Sequence, residues 1–260
     1  MSSKPPGDVS PEGIERFFAD RNIDAFCISD ISRITAPADR HPRSILPLCR
    51  TIIIFGIALT DRFYFGTSEE QGAETRHLLA TLESTVLALR DLLVQAGSAT
   101  EVILPLPLTI NDGQVRGRLS LKYCAADAGL GTIGENTLLI NPEYGNRLVL
   151  AAVITDREIA SSIRPASLPA CIHCHRCVEA CPAGAISNGE VDMTACRSFI
   201  SPIPRFIRPL AFRLMRGRWS ARILTSVLNL AAPFLITRID IPVSCTACVT
   251  ACPYFHKGKR

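Results

Sequence analysis

The sequence predicts an α+β fold, a mixed central sheet with flanking helices, followed by a small cysteine-rich module. Three features carry that expectation. The run RTIIIFGIAL at 50–59 is β-branched and apolar on both faces, the pattern of a strand covered on both sides. The stretch ETRHLLATLESTVLALRDLLVQAG, read across 70–97, places Leu78, Leu82, Val86, Leu89 and Leu93 on one stripe of a long amphipathic helix. After Ser161 the texture turns cysteine-rich and proline-punctuated. These features divide the chain near residue 165, into an α+β domain at 1–165 and a second unit at 166–260. Two unequal domains suit a chain of 260 residues.

Each element has a local reason. Ser10 is a suitable N-cap and Pro11 a suitable first helical residue, so a helix is expected over 11–20. A short strand follows at Ala25–Ser29, then the buried strand at 50–59 and the long helix, which should stop at Gly97. EVILPLPL at 101–108 reads as a strand before a polar turn. LSLKYCAADAGLG, 119–131, reads as a helix halted by its glycines, and RLVLAAVITD, 147–156, as the last clear strand.

Bulk properties exclude some functions. A formal charge of +4, with 20% charged and 47% hydrophobic residues, does not describe a strongly basic nucleic-acid binder. The N-terminal MSSKPPGDVSPEG has neither an apolar signal core nor a twin-arginine pair. The longest apolar stretch, ILTSVLNLAAPFLIT at 223–237, is shorter than the roughly 20 residues that span a bilayer, and it contains Asn229 and Pro233. The expected chain is cytoplasmic, has no transmembrane segment and buries that stretch as a helix.

Of the 11 cysteines, Cys27, Cys49 and Cys124 are scattered, and the rest fall after residue 170. Such clustering argues against a disulfide scaffold. CIHCHRCVEACP sets Cys171, Cys174, Cys177 and Cys181 at the spacing C-x2-C-x2-C-x3-C-P. In that spacing three thiolates hold one 4Fe-4S cube and the fourth serves a second. A zinc site also uses C-x2-C pairs, but a third close cysteine and the terminal proline suit it poorly. CTACVTACP near the C-terminus repeats the motif with Pro242 where its first cysteine would stand. The exchange is then reciprocal: Cys171, Cys174, Cys177 and Cys252 for cluster one, and Cys181, Cys245, Cys248 and one more for cluster two. Cys196 is the remaining cysteine near this module and the expected eighth ligand; a free thiol with water on the iron is the alternative. His173 and His175 lie between ligands, and with the thiolates already sufficient their expected role is to shape the surroundings of the cluster.

Gly129, Gly131 and Gly134 form a literal G-x-G-x-x-G. A dinucleotide fingerprint follows a strand and opens a helix, whereas here the helical pattern comes first. A glycine C-cap with a turn, or close backbone approach to a large cofactor, are the competing readings.

KYCAADAGLGTIGENTLLINPEYGNRLVLAAVITD, followed by the first cysteine motif, Cys196 and CTACVTACP, resembles the epoxyqueuosine reductase and reductive dehalogenase superfamily over about residues 10–255. The resemblance implies a nitroreductase-like domain holding cobalamin, fed with electrons by a ferredoxin-like module with two 4Fe-4S clusters. It places Gly129, Gly131, Gly134, Asn136, Thr137 and Leu138 along one side of the corrinoid. Asp156 would end the adjoining strand, as a cap or a functional group. No cobalt-ligating histidine motif is visible, in keeping with base-off binding. Where epoxyqueuosine reductases carry a proton-donating aspartate this chain has Val115, with Asp112 three residues away. The C-terminal repeat domain of the longer tRNA-acting enzymes and the export signal of the dehalogenases are not found. Asp112 and Tyr123 are the candidate acids, and Tyr144 is a further available phenol.

Between Cys196 and Cys245 lies an arginine-rich insertion, about 197–243, with eight arginines from Arg197 to Arg238 against Asp240. Phe212, Met215, Trp219 and Ile223 fall near one helical face, interrupted by Arg216 and Gly217. A solvated basic lid over the clusters is the expected role, and a docking helix for a protein, a membrane surface or another anionic partner the alternative. The whole predicts an oxidoreductase supplied by a donor such as a ferredoxin or flavodoxin, passing electrons through two clusters to a cofactor, with cobalamin implied by the resemblance. A non-catalytic electron carrier and a flavin- or nucleotide-dependent reductase are the alternatives.

Overall fold

Ser10 accepts a hydrogen bond from the Gly13 amide at 3.1 Å and so opens helix α1, Pro11–Ala19. The computed structural model describes residues 8–105, 108–111, 114–162, 168, 170–200, 208–216, 223, 226 and 245–255. The boundary near 165 therefore lies outside the described residues.

The sheet has the order β1 (Ala25–Asp30), β2 (Thr51–Ala58), β8 (Leu148–Thr155), β3 (Thr100–Ile103). The α+β class is as expected. One detail is corrected: every described pairing in this sheet is antiparallel, not mixed. β2 and β3 do run in the same direction, joined through the short helix α2 (Asp61–Phe65) and the long helix α3 (Ser68–Gln95), but β8 slots between them and opposes both.

Alternation along β2 and β8 divides the core. Ile53, Phe55, Ala151 and Val153 face α1 and α3 and meet Ile14, Phe18, Leu82, Val86, Leu89 and Leu93. Ile52, Ile54, Ala152 and Ile154 face the other way, onto Cys124 and Ala125 of α4 (Leu121–Asp127). The predicted stripe of α3 is buried throughout, each such side chain contributing about 1.5–3 kcal/mol. The helix opens on a capping box in which Thr67 and Glu70 satisfy each other's amides.

The expected strand at 101–108 is split. β3 ends at Ile103, and Leu108–Asn111 instead forms β4, hairpinned to β5, Gln114–Gly117. Pro105 between them has no amide hydrogen to continue a ladder. After α4, Thr132–Ile133 and Leu139–Ile140 pair as a small hairpin, β6 and β7. The cysteine-rich region adds α5 (Arg176–Glu179), the hairpin β9 (Ile186–Ser187) and β10 (Glu190–Val191), α6 (Arg197–Ile200), α7 (Arg208–Arg216) and α8 (Ala247–Thr250).

Candidate iron-sulfur centres and an adjoining cavity

Cys171, Cys174, Cys177 and Cys252 line one small void, together with Gly134, Glu135 and Asn136. Two residues in left-handed conformation, His173 (φ 49°) and His175 (φ 56°), interleave the first three cysteines and turn the loop back on itself. Burial raises the Cys252 thiol above its ordinary range, and the charges of Cys174 and Cys171 add to the effect.

A second group gathers around Cys248. Its thiol is pushed up to about 11, first by burial and then by Cys196, Cys245, Cys181 and Cys177. The Ala185 amide donates to the Cys181 sulfur at 3.2 Å, and the Ser198 hydroxyl to the Cys245 carbonyl at 3.0 Å. Among the described residues no three His, Cys, Asp or Glu side chains close around a single metal ion. The other three cysteines are apart from both groups and buried. Burial raises Cys27 and Cys124 to about 12 and Cys49 to about 11, which makes them inert packing residues.

Polar side chains, all but Asn136 absent from the sequence-based expectations, fasten the cysteine lobe to the sheet domain. Asn136 donates to the Cys248 carbonyl at 3.0 Å and Asn146 to the Val249 carbonyl at 3.1 Å. Arg147, 4% exposed, bonds Asp61 at 2.8 Å and the Phe255 carbonyl at 2.7 Å. Glu135, whose side chain is 11% exposed, meets His175 Nδ1 at 2.8 Å. Glu135 and Asn136 directly follow Gly134, whereas Asn146 and Arg147 stand well beyond the glycine motif and carry no sequence signal of their own.

A cavity of about 800 Å³ opens beside this junction. Its wall includes Lys122, Tyr123, Thr137, Leu138, Asn146 and Met193. Lys122 Nζ donates to the Thr137 hydroxyl at 3.0 Å, and burial lowers the lysine pKa. Thr137 is held at φ 60°, an outlier for a β-branched residue, of the kind that clusters at functional sites.

The remaining expected site residues fall elsewhere. Gly129, at φ 81°, follows the C-cap of α4, and its amide bonds the Ala126 carbonyl. Gly131 packs on Ile140 across the β6–β7 hairpin, where a Cβ would meet the Ile140 carbonyl oxygen. Gly134 and Asn136 line the void of the first cysteine group. Gly129 thus serves the α4 C-cap and Gly131 the following turn, and of the residues expected along the corrinoid Thr137 and Leu138 border the large cavity. Asp156 follows the far end of β8 from Leu148–Leu150, the part of that strand in the cavity wall, and its amide bonds the Ala99 carbonyl. Tyr144 lines a separate cavity of about 260 Å³. Asp112 lies outside the described residues, as do Trp219 and most of the insertion; Ile223 is exposed.

Two groups of four cysteines behind a sheet domain with a large cavity define an iron-sulfur protein of a redox type, and residues 170–187 match a 4Fe-4S binding domain. Its sequence is similar to the epoxyqueuosine reductases of Listeria monocytogenes (36% identity over 92 residues, 35% of this chain and 24% of the relative) and Bacillus subtilis (30% over 144, 55% and 31%). That of Staphylococcus aureus is 26% identical over 200 residues, 75% of this chain and 50% of the relative. Among solved structures, an epoxyqueuosine reductase with an epoxyqueuosine-modified tRNA-Tyr stem loop superposes at TM-score 0.61 and 20% identity, covering 96% of this chain and 67% of that one. A reductive dehalogenase whose structure suggests B12-dependent dehalogenation superposes at 0.53 and 14%, covering 93% and 39%. The chain has the fold of the epoxyqueuosine reductase and reductive dehalogenase superfamily, and it spans half or less of the curated relatives it matches. Among the described residues no helix is long and apolar enough to cross a membrane.

Proposed function

We propose that the chain is an oxidoreductase with two 4Fe-4S centres, one held by Cys171, Cys174, Cys177 and Cys252 and the other by Cys181, Cys196, Cys245 and Cys248, which deliver electrons to cobalamin in the adjoining cavity. The arrangement of these two cysteine groups next to the cavity carries the reading. Residues 1–165 form the cofactor body and 166–260 the cluster module, acting in a reducing cytoplasm where thiolates persist.

The cavity fits a large cofactor. Its volume of about 800 Å³ falls in the upper part of the range for small-molecule sites. Its wall offers hydroxyl and ammonium groups, from Ser120, Tyr123, Thr137 and Lys122, to the amides of a corrinoid rim. No imidazole lines it among the described residues, which suits a corrinoid bound without a protein histidine. Bound cobalamin would supply a strongly reducing metal centre.

The chain's own residues do the rest. Lys122 and Thr137 fix one wall, and Asn146 couples another to the peptide beside Cys248. Tyr123, 41% exposed and in the wall, is the candidate proton source; Asp112 remains an alternative from the sequence. The substrate classes are a small molecule, a modified nucleoside, or the corrinoid of a partner protein awaiting reductive activation.

The test is anaerobic reconstitution with iron and sulfide, followed by optical and paramagnetic spectra with and without cobalamin. A cobalt signal altered by the protein is the expected result. Unaltered free-corrinoid spectra would leave a plain electron carrier in its place.

A further inference from the structure

Lys122 carries a positive charge that the described residues do not balance. Its Nζ donates to the Thr137 hydroxyl at 3.0 Å and lies 5.6 Å from the centroid of the Tyr123 ring, both uncharged groups. No carboxylate among the described residues comes within 4 Å of it. An ammonium drawn out of water without a counter-ion is costly. This one stands in the wall of the cavity of about 800 Å³, where a negative charge can reach it from a ligand.

Arg40 adds a second cation to the same wall. Its Nη1 is 3.4 Å from the hydroxyl of Ser120, which immediately precedes α4, and Lys122 is the second residue of that helix. The two acids in the wall, Asp127 and Glu190, are placed otherwise. Asp127 ends α4, about 7.5 Å along the axis from Lys122, and its Oδ2 accepts from the Thr35 amide at 2.8 Å and hydroxyl at 3.0 Å. Glu190 is exposed on β10. Neither acid pairs with Lys122 or Arg40. Positive charge therefore collects where Ser120 opens α4.

We infer that Lys122 and Arg40 form an anion subsite of this cavity, which takes a carboxylate or phosphate group of the bound ligand. The inference rests on the proposed reading of the cavity as the ligand site and deepens it. That group belongs to an acidic substrate or to the phosphodiester in the nucleotide tail of a cobalamin. The hydroxyls of the wall suit the neutral amides of a corrinoid rim, but an amide oxygen leaves the charge of Lys122 uncompensated. Leu119, Leu121, Leu138 and Leu148 line the same cavity, and apolar surroundings strengthen an ion pair formed among them. Thr137 orients the ammonium from a left-handed backbone, φ 60°, a conformation that persists only where the surrounding structure enforces it.

The test titrates the full chain calorimetrically with benzoate, its uncharged isostere benzamide, and inorganic phosphate. Benzoate should bind the wild type about tenfold or more tightly than benzamide, and phosphate should compete with it. Lys122→Met and Arg40→Met should each weaken benzoate about tenfold or more and leave benzamide unchanged, which shows that the cavity is intact. Lys122→Arg, which keeps the charge, should lose less. Equal affinities for benzoate and benzamide, failure of both anions to bind at millimolar concentration, or full benzoate affinity in Lys122→Met would overturn the subsite. Cobalamin and cobinamide, which lacks the phosphodiester, separate the two sources. A loss in Lys122→Met confined to cobalamin assigns the subsite to the tail, and unchanged affinity for both corrinoids assigns it to the substrate. An equal loss for both would make Lys122 a contact of the ring and overturn the inference. Failure of both corrinoids to bind the wild type would remove cobalamin from the proposed function, whereas the benzoate comparison would still decide the subsite.

Discussion

The Arg147 guanidinium donates from Nε and Nη2 to a single oxygen, the Phe255 carbonyl, at 3.2 and 2.7 Å, and lies 3.9 Å from the centroid of the Phe255 ring. Arg147 precedes β8 and Phe255 follows Cys252 by three residues, so this contact joins the sheet to one ligand of the first cysteine group. Arg147→Met keeps the apolar stem but leaves a carbonyl without its donors. The apoprotein should lose about 2–4 kcal/mol in urea unfolding, and the reconstituted protein should release iron faster to a chelator. Arg147→Lys should not restore it, because an ammonium cannot donate the paired bonds of a planar fork.

The glycine motif makes a sharper test of structure against cofactor binding. A Cβ at Gly131 would stand 2.9 Å from the Ile140 carbonyl carbon, backbone that cannot swing aside. Gly131→Ala should therefore cost at least about 2 kcal/mol. Gly184→Ala should cost about 1 kcal/mol, since a Cβ there meets nothing within 4 Å and only its φ of 58° opposes a side chain. NADH fluorescence should show no binding to the wild type. Enhancement abolished by Gly131→Ala would restore the dinucleotide reading.

Much of this was legible because it repeats. The stripe of α3 and the double-sided β2 declare themselves through many residues, and the cysteine motif through spacing fixed by cluster geometry. Lys122, Glu135, Asn146 and Arg147 did not, since each is a single polar residue whose meaning depends on a distant partner such as Thr137, His175, Val249 or Phe255. The place of Asp156 relative to the cavity was unreadable for a related reason. A strand pattern shows that Leu148 and Asp156 bracket one element, but not which end borders the cavity. The antiparallel order of the sheet was equally hidden, because β8 enters between β2 and β3 from far along the chain.

Lys122 should leave a pH signature. Burial lowers its folded-state pKa below the 10.5 of an open lysine, so the folded chain releases this proton at lower pH than the unfolded chain does. Below the folded value the whole cost of burying the charge is present. Between the folded value and 10.5 the unfolded state binds more protons, so the cost fades and stability gains with rising pH. The stability of wild type relative to Lys122→Met should therefore increase as pH is raised from 7 toward 10.5, measured by chemical denaturation of the apoprotein. A difference independent of pH would place the ammonium in water rather than against the Thr137 hydroxyl.

Cys196 carries the most specific consequence of the wiring. It is the one proposed ligand outside both short motifs, and after burial its charge has the largest effect on Cys248. With Cys196→Ser the second centre should lose its paramagnetic signal on reduction and the chain should fall from about eight irons to about four, the first centre keeping its spectrum. Cys124→Ser is the control, a buried thiol raised to about 12 and remote from both groups, and should retain both centres. Two intact signals in Cys196→Ser protein would return Cys196 to the status of a spare thiol, and the fourth position on that cluster would then belong to water or another non-sulfur ligand.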